Sequence, residues 1–374
     1  MKTVLITGSE GFIGKNLRLT LQHREDLCVI SFDVQDDPEI LFTVLDRADF
    51  VFHLAGVNRP QHLEEFQSGN TGLTEQICGY LAKSGRKTPI VVTSSTQAVL
   101  DNPYGASKRG AEDAVFEYGR TTGAQAYVFR LPNVFGKWCR PNYNSGVATF
   151  CNNIANDLAI QINDPDVVMN LVYIDDVVNS FAALLDGTEN MDGDFCQVQP
   201  VHSAKLGDIV DLIRSFKECR ASRSIPDMSD LFTKKLYSTY ISYLPTNQFS
   251  YPLKMNLDLR GSFTEFIKTP DRGQVSVNIS KHGITKGEHW HHTKNEKFLV
   301  VSGQGVIRFR KVGTIEILEY SVSGDKLEVV DIPTGYTHNI TNTGETDMVT
   351  IMWCNEIFDP EKPDTFFEPV ECKE

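Results

Sequence analysis

The sequence predicts two domains: an α/β domain on a doubly wound parallel sheet, followed by an all-β domain. A chain of 374 residues is long enough for two hydrophobic cores. Up to residue 245, short apolar runs alternate with helix-length amphipathic segments, which is typical of βαβ units. Beyond residue 253, short runs of alternating polar and apolar residues are bounded by glycine, which is typical of a β-barrel or sandwich.

The strands are expected at particular places in each domain. Those of the first sheet are expected at residues 3–7, 29–32, 50–54, 90–93 and 126–130. Those of the second domain include residues 275–279, 297–301, 306–310 and 348–353. A polar linker that contains Pro245 and Pro252 separates the α/β pattern from the all-β pattern. The predicted domains are therefore 1–245 and 253–374.

Bulk composition excludes several kinds of partner. The formal net charge of −13 repels phosphate backbones and anionic membranes, so neither nucleic acid nor a membrane is an expected partner. The eight cysteines form no CxxC pair, which favours a reducing compartment over a disulfide framework. Without a run of about 18 apolar residues or a signal segment, the expected location is the cytoplasm.

A glycine-rich segment joins the first expected strand to the first expected helix. Gly8, Gly11 and Gly14 are spaced as GxxGxxG, with Phe12 and Ile13 between the last two. Glycines at this junction allow a tight turn and let the backbone approach a pyrophosphate, which the helix N-terminus attracts. The segment therefore predicts a dinucleotide site.

Asp33 follows the second expected strand, about 20 residues beyond the glycines. Its carboxylate is expected to bond the adenosine ribose hydroxyls. That role favours NAD over NADP, since a 2′-phosphate would meet a like charge. The alternative is a turn residue with no ligand.

Tyr104 and Lys108 are the candidate acid and its charged neighbour. A separation of four residues puts both on one face of a helix. The ammonium is expected to lower the phenol pKa from about 10, which would make Tyr104 a usable acid or base. The alternative is an exposed helical pair. Just upstream, Ser94, Ser95 and Thr96 end a strand with hydroxyls that could bond a carbonyl oxygen.

Together these segments resemble the short-chain dehydrogenase/reductase superfamily, in its extended, Rossmann-like branch that works on nucleotide sugars. Further matches are His53-Leu54-Ala55-Gly56, Asn70, residues 130–136 and residues 172–177. The resemblance implies Ser95, Tyr104 and Lys108 as the catalytic set, with Ser94 or Thr96 as the alternative hydroxyl. It implies that Leu54, Ala55 and Gly56 contact the cofactor. It also implies that Asn133 and Arg130 face the sugar nucleotide, a salt bridge being the alternative for Arg130.

The second domain contains a candidate metal site. His289 and His291 alternate on a strand, Glu296 follows on the next, and His338 must come from a distant one. Three imidazoles and one carboxylate suit a divalent first-row metal with open coordination positions. The spacing resembles the two motifs of the cupin (jelly-roll) barrels.

Residues 258–265, with Gln274, Asn278 and Lys286, look like those of the sugar-nucleotide 3,5-epimerases. In those enzymes the histidine that matches His289 is the base, whereas here it is a candidate metal ligand. The base that removes the sugar proton therefore stays open.

Over nearly its full length the chain is similar to the CapF family of bacterial capsular polysaccharide enzymes, on residues 137–139, 141–145 and 263–274. The resemblance implies a UDP-linked 2-acetamido-2,6-dideoxy-4-ketohexose as substrate. A zinc-containing cupin would epimerise C3, and NADPH-dependent reduction of C4 would follow, with NADH possible because of Asp33. Two alternatives stay open: a 4-ketoreductase with a non-catalytic sugar-binding cupin, or an NAD-retaining 4-epimerase or dehydratase. A homodimer is expected.

Overall fold

The computed structural model describes residues 1–371 and divides into two compact units. The first unit comprises Met1–Arg214 and Asp230–Pro245, and the second comprises Ser215–Ser229 and the chain from Thr246 onward. Residues 215–229 thus group with the second unit, although the predicted first domain, 1–245, contains them. The physical reason is a long-range backbone contact, since the Lys268 N–H donates to the Arg223 carbonyl oxygen.

The first unit is built on a seven-stranded sheet with the order β2-β1-β3-β4-β5-β9-β8, parallel except for the β8–β9 pair. A smaller sheet has the order β10-β7-β6. The strands are β1 (Lys2–Thr7), β2 (Leu27–Phe32), β3 (Phe50–His53), β4 (Ile90–Ser95), β5 (Ala126–Leu131), β6 (Asn133–Phe135), β7 (Val168–Tyr173), β8 (Met191–Asp192), β9 (Phe195–Cys196) and β10 (His202–Lys205). The five predicted strands of this domain are confirmed.

Helices connect these strands. They are α1 (Phe12–Leu21), α2 (Pro38–Leu45), α3 (Glu64–Phe66), α4 (Leu73–Ser84), α5 (Pro103–Thr122), α6 (Gly146–Ala155), α7 (Ile174–Leu185), α8 (Leu206–Ser222) and α9 (Leu231–Ile241). A π-helix spans Gln67–Gly72, and short 3₁₀ helices span Thr96–Val99 and Thr246–Gln248.

Strand β1 shows why the main sheet is covered on both faces. Val4 and Ile6 pack into one core with Leu17 of α1, whereas Leu5 packs into the other with Ile77 of α4. A strand buried on both faces is a continuous apolar run, as parallel sheets require. The carboxyl ends of β1, β3 and β4 meet at one edge of this sheet, where the candidate residues lie.

The second unit is all-β, with the antiparallel sheets β11-β12-β13-β20-β15-β18 and β17-β16-β19-β14-β21. Its strands are β11 (Met255–Asp258), β12 (Gly261–Thr269), β13 (Gly273–Ser280), β14 (Thr285–Trp290), β15 (Glu296–Ser302), β16 (Gln304–Lys311), β17 (Ile317–Ser323), β18 (Val329–Ile332), β19 (Tyr336–Asn342), β20 (Met348–Cys354) and β21 (Phe366–Phe367). Phe298 and Met348 of the first sheet pack against Ile307, Phe309 and Ile340 of the second. The four predicted strands are confirmed.

Membrane-spanning potential and cysteine pairing can be stated for residues 1–371 of both units. Within residues 1–371, no helix is both long enough and apolar enough to span a bilayer. The seven cysteines in that range are free thiols, and Cys372 lies outside the described residues.

Candidate functional site

The glycine-rich segment forms a tight turn between β1 and α1. Gly8 has φ +68°, and a Cβ there would lie 2.7 Å from the Ala55 nitrogen; a Cβ on Gly14 would collide with the Gly8 carbonyl oxygen. Glycine is therefore required at both positions. No side chain caps the N-terminus of α1, and Gly11, Phe12 and Ile13 line a cavity of about 750 Å³ together with Gly8 and Gly14. Free helix N–H groups facing a cavity suit a pyrophosphate.

Asp33 follows β2, as predicted, but its carboxylate is bonded to the protein. It accepts hydrogen bonds from the Ser9 hydroxyl at 2.5 Å and the Glu10 N–H at 3.1 Å. Among the described residues, Asp33 is absent from the cavity lining. In the structure, this carboxylate therefore stabilises the glycine-rich turn through hydrogen bonds.

The end of β3 is joined to the same turn through His53. Its ring nitrogens bond the hydroxyls of Thr7 at 2.7 Å and Thr74 at 2.9 Å, and burial lowers the pKa of His53 to about 3. The Thr7 hydroxyl also accepts from the Ala55 N–H at 3.3 Å. This neutral histidine holds the two strand ends together, and the predicted residues Leu54 and Gly56 line the cavity beside them.

Ser95, Tyr104 and Lys108, the predicted catalytic residues, line this cavity together. Asn102 accepts from the Gly105 N–H and caps α5, so Tyr104 lies in the first turn and Lys108 one turn later. The Lys108 ammonium lies 5.9 Å from the Tyr104 ring centroid. The Ser95 hydroxyl bonds the phenol, which also donates to Asn58 Oδ1 at 3.2 Å.

The expected lowering of the phenol pKa is wrong for this chain. Burial raises the pKa of Tyr104 above its ordinary value, and the hydrogen bond with Ser95 offsets only part of that rise. Burial also lowers the pKa of Lys108 to about 8, although the charge of Glu112 opposes the shift. The ammonium is itself desolvated and donates to the Thr93 carbonyl oxygen at 3.2 Å. Tyr104 is consequently a proton donor at neutral pH.

Arg130 pairs with a buried carboxylate. Its guanidinium donates to Glu112 at 2.9 and 2.5 Å and lies 3.9 Å from the Phe195 ring centroid. The Ser94 hydroxyl donates to the same carboxylate. Among the described residues, Arg130 is absent from the cavity lining, whereas the other predicted substrate residue, Asn133, lies in it. The salt-bridge alternative for Arg130 is thus the geometry observed.

Sequence reasoning missed a cationic part of this cavity. Arg140 lines it, and the guanidinium groups of Arg140 and Arg59 lie 5.2 and 5.9 Å from the ring centroid of Tyr143. Within residues 1–371, neither arginine has a carboxylate oxygen within 4.0 Å. In a chain of charge −13, these two arginines are a local positive charge that could attract an anion.

The four predicted metal ligands converge in the second unit. His289 is the penultimate residue of β14, His291 lies just beyond the end of that strand, Glu296 begins β15, and His338 lies on β19. One ligand atom from each lies within 4.8 Å of the others. Glu296 Oε2 is 3.4 Å from His291 Nε2 and 3.3 Å from His338 Nε2.

The chemistry of this cluster fits a divalent cation. Glu296 Oε2 lies within 3.4 Å of His291 Nε2 and His338 Nε2 without the angles of a hydrogen bond, and among the described residues these three buried atoms have no other partner. Such orphaned atoms are rare in native proteins unless an ion or water satisfies them. Burial, helped by the two neighbouring imidazoles, lowers the pKa of His289 to about 4, so its imidazole is neutral, as a metal ligand must be.

A cavity of about 440 Å³ lies over this cluster, lined by His289, His338 and Lys286. The Lys286 ammonium donates to Asn278 Oδ1 at 2.7 Å and to the Ile279 carbonyl oxygen at 2.8 Å. The cavity therefore combines the cluster with a fixed positive charge.

Two protein families match separate parts of the chain. Residues 4–195 match the NAD dependent epimerase/dehydratase family, and residues 256–366 match the polysaccharide biosynthesis C-terminal domain. The chain belongs to the NAD dependent epimerase/dehydratase family. This membership supports a nicotinamide cofactor at the glycine-rich turn.

Individual relatives extend the similarity to the whole chain. It is 56% identical to the capsular polysaccharide assembling protein CapF from Staphylococcus aureus, with a TM-score of 0.94 over 98% of this chain and 100% of that one. The predicted resemblance to the CapF family is thereby confirmed. A UDP-2-acetamido-2,6-beta-L-arabino-hexul-4-ose reductase from Pseudomonas aeruginosa is 45% identical over 97% of both chains. UDP-glucuronic acid 4-epimerase from Bacillus cereus, at 17% identity and a TM-score of 0.55 over 64% of this chain and 98% of its own, shares the fold alone.

Replacing Arg130 by methionine should lower the free energy of unfolding by about 3 to 5 kcal/mol, because the buried Glu112 carboxylate would lose its charged partner and keep only the Ser94 hydroxyl. Denaturant unfolding measures the change. Arg120→Met is the matched control, since its pair with Glu117 is exposed and should contribute less than about 1 kcal/mol. A small loss of stability with a large loss of substrate affinity would instead assign Arg130 to the substrate.

Proposed function

We propose that the chain is a two-site enzyme acting on a UDP-linked 2-acetamido-2,6-dideoxy-4-ketohexose. The second unit epimerises C3, and the first then reduces C4 to give UDP-2-acetamido-2,6-dideoxy-L-talose for UDP-N-acetyl-L-fucosamine and capsular polysaccharide biosynthesis. The observation that carries the proposal is the presence in one chain of Ser95, Tyr104 and Lys108 beside a dinucleotide turn and of a cluster of three histidines and one glutamate. The similarity to the Pseudomonas aeruginosa UDP-2-acetamido-2,6-beta-L-arabino-hexul-4-ose reductase supports the substrate class.

The residues of the first unit are suited to protonate an oxygen formed from a ketone. Bound NADPH supplies the hydride for C4. Ser95 orients the C4 carbonyl by donating a hydrogen bond, and Tyr104 gives its phenolic proton to the developing alkoxide. Lys108 stabilises the phenolate that this transfer leaves. The raised pKa of Tyr104 keeps the proton in place until then.

The cationic part of the first cavity supports a diphosphate-bearing substrate. Arg140 and Arg59 flank Tyr143 without carboxylate partners within the described part of the chain. They follow β6 and β3, whereas the adenosine end of a dinucleotide is expected beyond β2. Asn133 lies in the same lining and can bond the sugar.

NADPH is the proposed reductant, as the family resemblance implies. The bonds of Asp33 to Ser9 and Glu10 support this choice, because they leave its carboxylate less available to a ribose hydroxyl. NADH is the alternative, and oxidation rates with the two reductants decide between them.

The second unit is proposed to be a cupin that holds Zn²⁺ through His289, His291, Glu296 and His338. A cation there supplies positive charge near a substrate carbonyl oxygen. The C3 hydrogen is acidic because it neighbours the C4 ketone, so charge at that oxygen assists its removal. The unpartnered, buried ligand atoms support the assignment.

Tyr104→Phe should lower the rate of NAD(P)H oxidation by about 100- to 10,000-fold, because the proton donor is lost. Exchange of the C3 hydrogen with solvent deuterium should continue, because it takes place in the other unit. Absorbance of the reductant and mass spectrometry of the keto sugar measure the two steps. Loss of exchange in this variant would contradict the assignment of epimerisation to the second unit and of reduction to the first.

His338→Ala should lower metal content and C3 exchange together, since it removes a ligand with a buried, unpartnered nitrogen. Metal analysis and deuterium exchange are the measurements. His292→Ala is the matched control, because the His292 ring is exposed and packs on Trp290 and Phe366. Full metal content with full exchange in His338→Ala would refute the ligand role.

The rate of reduction should fall as pH rises through about 8. Lys108 is protonated below its pKa of about 8 and loses its charge above it, whereas Tyr104, with its raised pKa, remains protonated. The pH profile of kcat/KM measures this limb. Lys108→Arg should move the decline to higher pH, because a guanidinium stays protonated beyond pH 12. An unmoved decline in that variant would assign it to another group.

A further inference from the structure

The C-terminal segment of the second unit returns to the candidate metal ligands. Phe366 and Phe367 of β21 pair with Trp290 and His289 of β14. Just before them, Asp364 has a backbone φ of +32°. A non-glycine residue in this region is unfavourable and is kept only where surrounding contacts over-determine it. The contacts of Asp364 therefore indicate what it does.

The Asp364 carboxylate holds the turn between β14 and β15. It accepts the backbone N–H groups of His292 at 3.0 Å, Thr293 at 2.8 Å and Lys294 at 3.0 Å, and the Thr293 hydroxyl at 3.0 Å. This turn directly joins the ligand His291 to the ligand Glu296. A single carboxylate thus sets the spacing of two of the four ligands.

The Asp364 backbone carbonyl orients the His291 ring. His291 Nδ1 lies 2.6 Å from that oxygen, and because a carbonyl only accepts, Nδ1 carries the hydrogen. Nε2 then carries the lone pair, and it points to the cluster, 3.4 Å from Glu296 Oε2. A ligating histidine commonly has its other N–H bonded in this way, which sets its tautomer.

We propose that Asp364 is a positioning residue of the second site: its carboxylate holds the turn between His291 and Glu296, and its carbonyl selects the metal-binding tautomer of His291. Asp364 acts through these two ligands and touches neither metal nor substrate. The inference rests on the proposed metal site and adds a residue from a distant part of the chain to it.

The test is metal affinity of the full chain, measured with Zn²⁺ and Co²⁺ by competition with a chelator. Asp364→Asn keeps the size of the side chain but supplies one acceptor oxygen in place of two. Its affinity should fall by about 10- to 100-fold, the usual effect of losing an outer-shell partner of a ligand. Thr293→Val removes one of the four donors and should give a smaller loss. The visible spectrum of bound Co²⁺ should change in Asp364→Asn, because it reports ligand geometry.

Asp359→Asn is the matched control. Asp359 lies in the same segment and its carboxylate accepts from the Glu361 N–H at 2.9 Å, in an exposed turn. This variant should bind metal as the unchanged chain does. A loss of affinity equal to that of Asp364→Asn would attribute the effect to the segment and overturn the proposal.

Two further outcomes separate this inference from the proposed function. If the unchanged chain binds neither cation, the metal site itself is overturned. If the unchanged chain binds metal and Asp364→Asn binds it equally, with an unaltered Co²⁺ spectrum, the positioning role is overturned even where thermal stability falls. Dinucleotide binding by the first unit, measured on the same samples, confirms that each variant chain is folded there.

Discussion

Buried polar atoms need partners, because one left unpaired costs about 1 to 3 kcal/mol. The need for partners positions the polar side chains of both candidate sites. In the first unit, Lys108 donates to a strand carbonyl, and Glu112 is satisfied by Arg130 and Ser94. In the second, the ligand atoms of His291 and His338 have no hydrogen-bond partner within the described residues. A divalent cation, as proposed for this cluster, would supply the missing partner.

Backbone proximity is the second constraint in the first unit. Gly14 allows α1 to approach the turn, and Gly8 allows the turn to approach Ala55. His53 and Thr7 join the same two strand ends by hydrogen bonds. The glycine-rich turn after β1 and the end of β3 are thus held together. The glycines of this turn and Tyr104 line the same cavity.

The proposed reactions depend on each other through one carbonyl group. The C3 hydrogen is removable only while C4 is a ketone, and reduction of C4 ends that acidity. In the proposed sequence of reactions, epimerisation therefore precedes reduction. The neutral imidazole of His289 suits a metal ligand, and the protonated phenol of Tyr104 suits a proton donor.

Local sequence determined a large part of this protein. The glycine spacing, the four-residue step from Tyr104 to Lys108 and the alternation of His289 with His291 depend on backbone geometry, which neighbouring residues set. Tertiary structure decided the rest. It gave Arg130 its partner, raised the pKa of Tyr104 and brought Asp364 to the proposed metal ligands. Burial and pairing depend on residues distant in the chain, so no local pattern contains them.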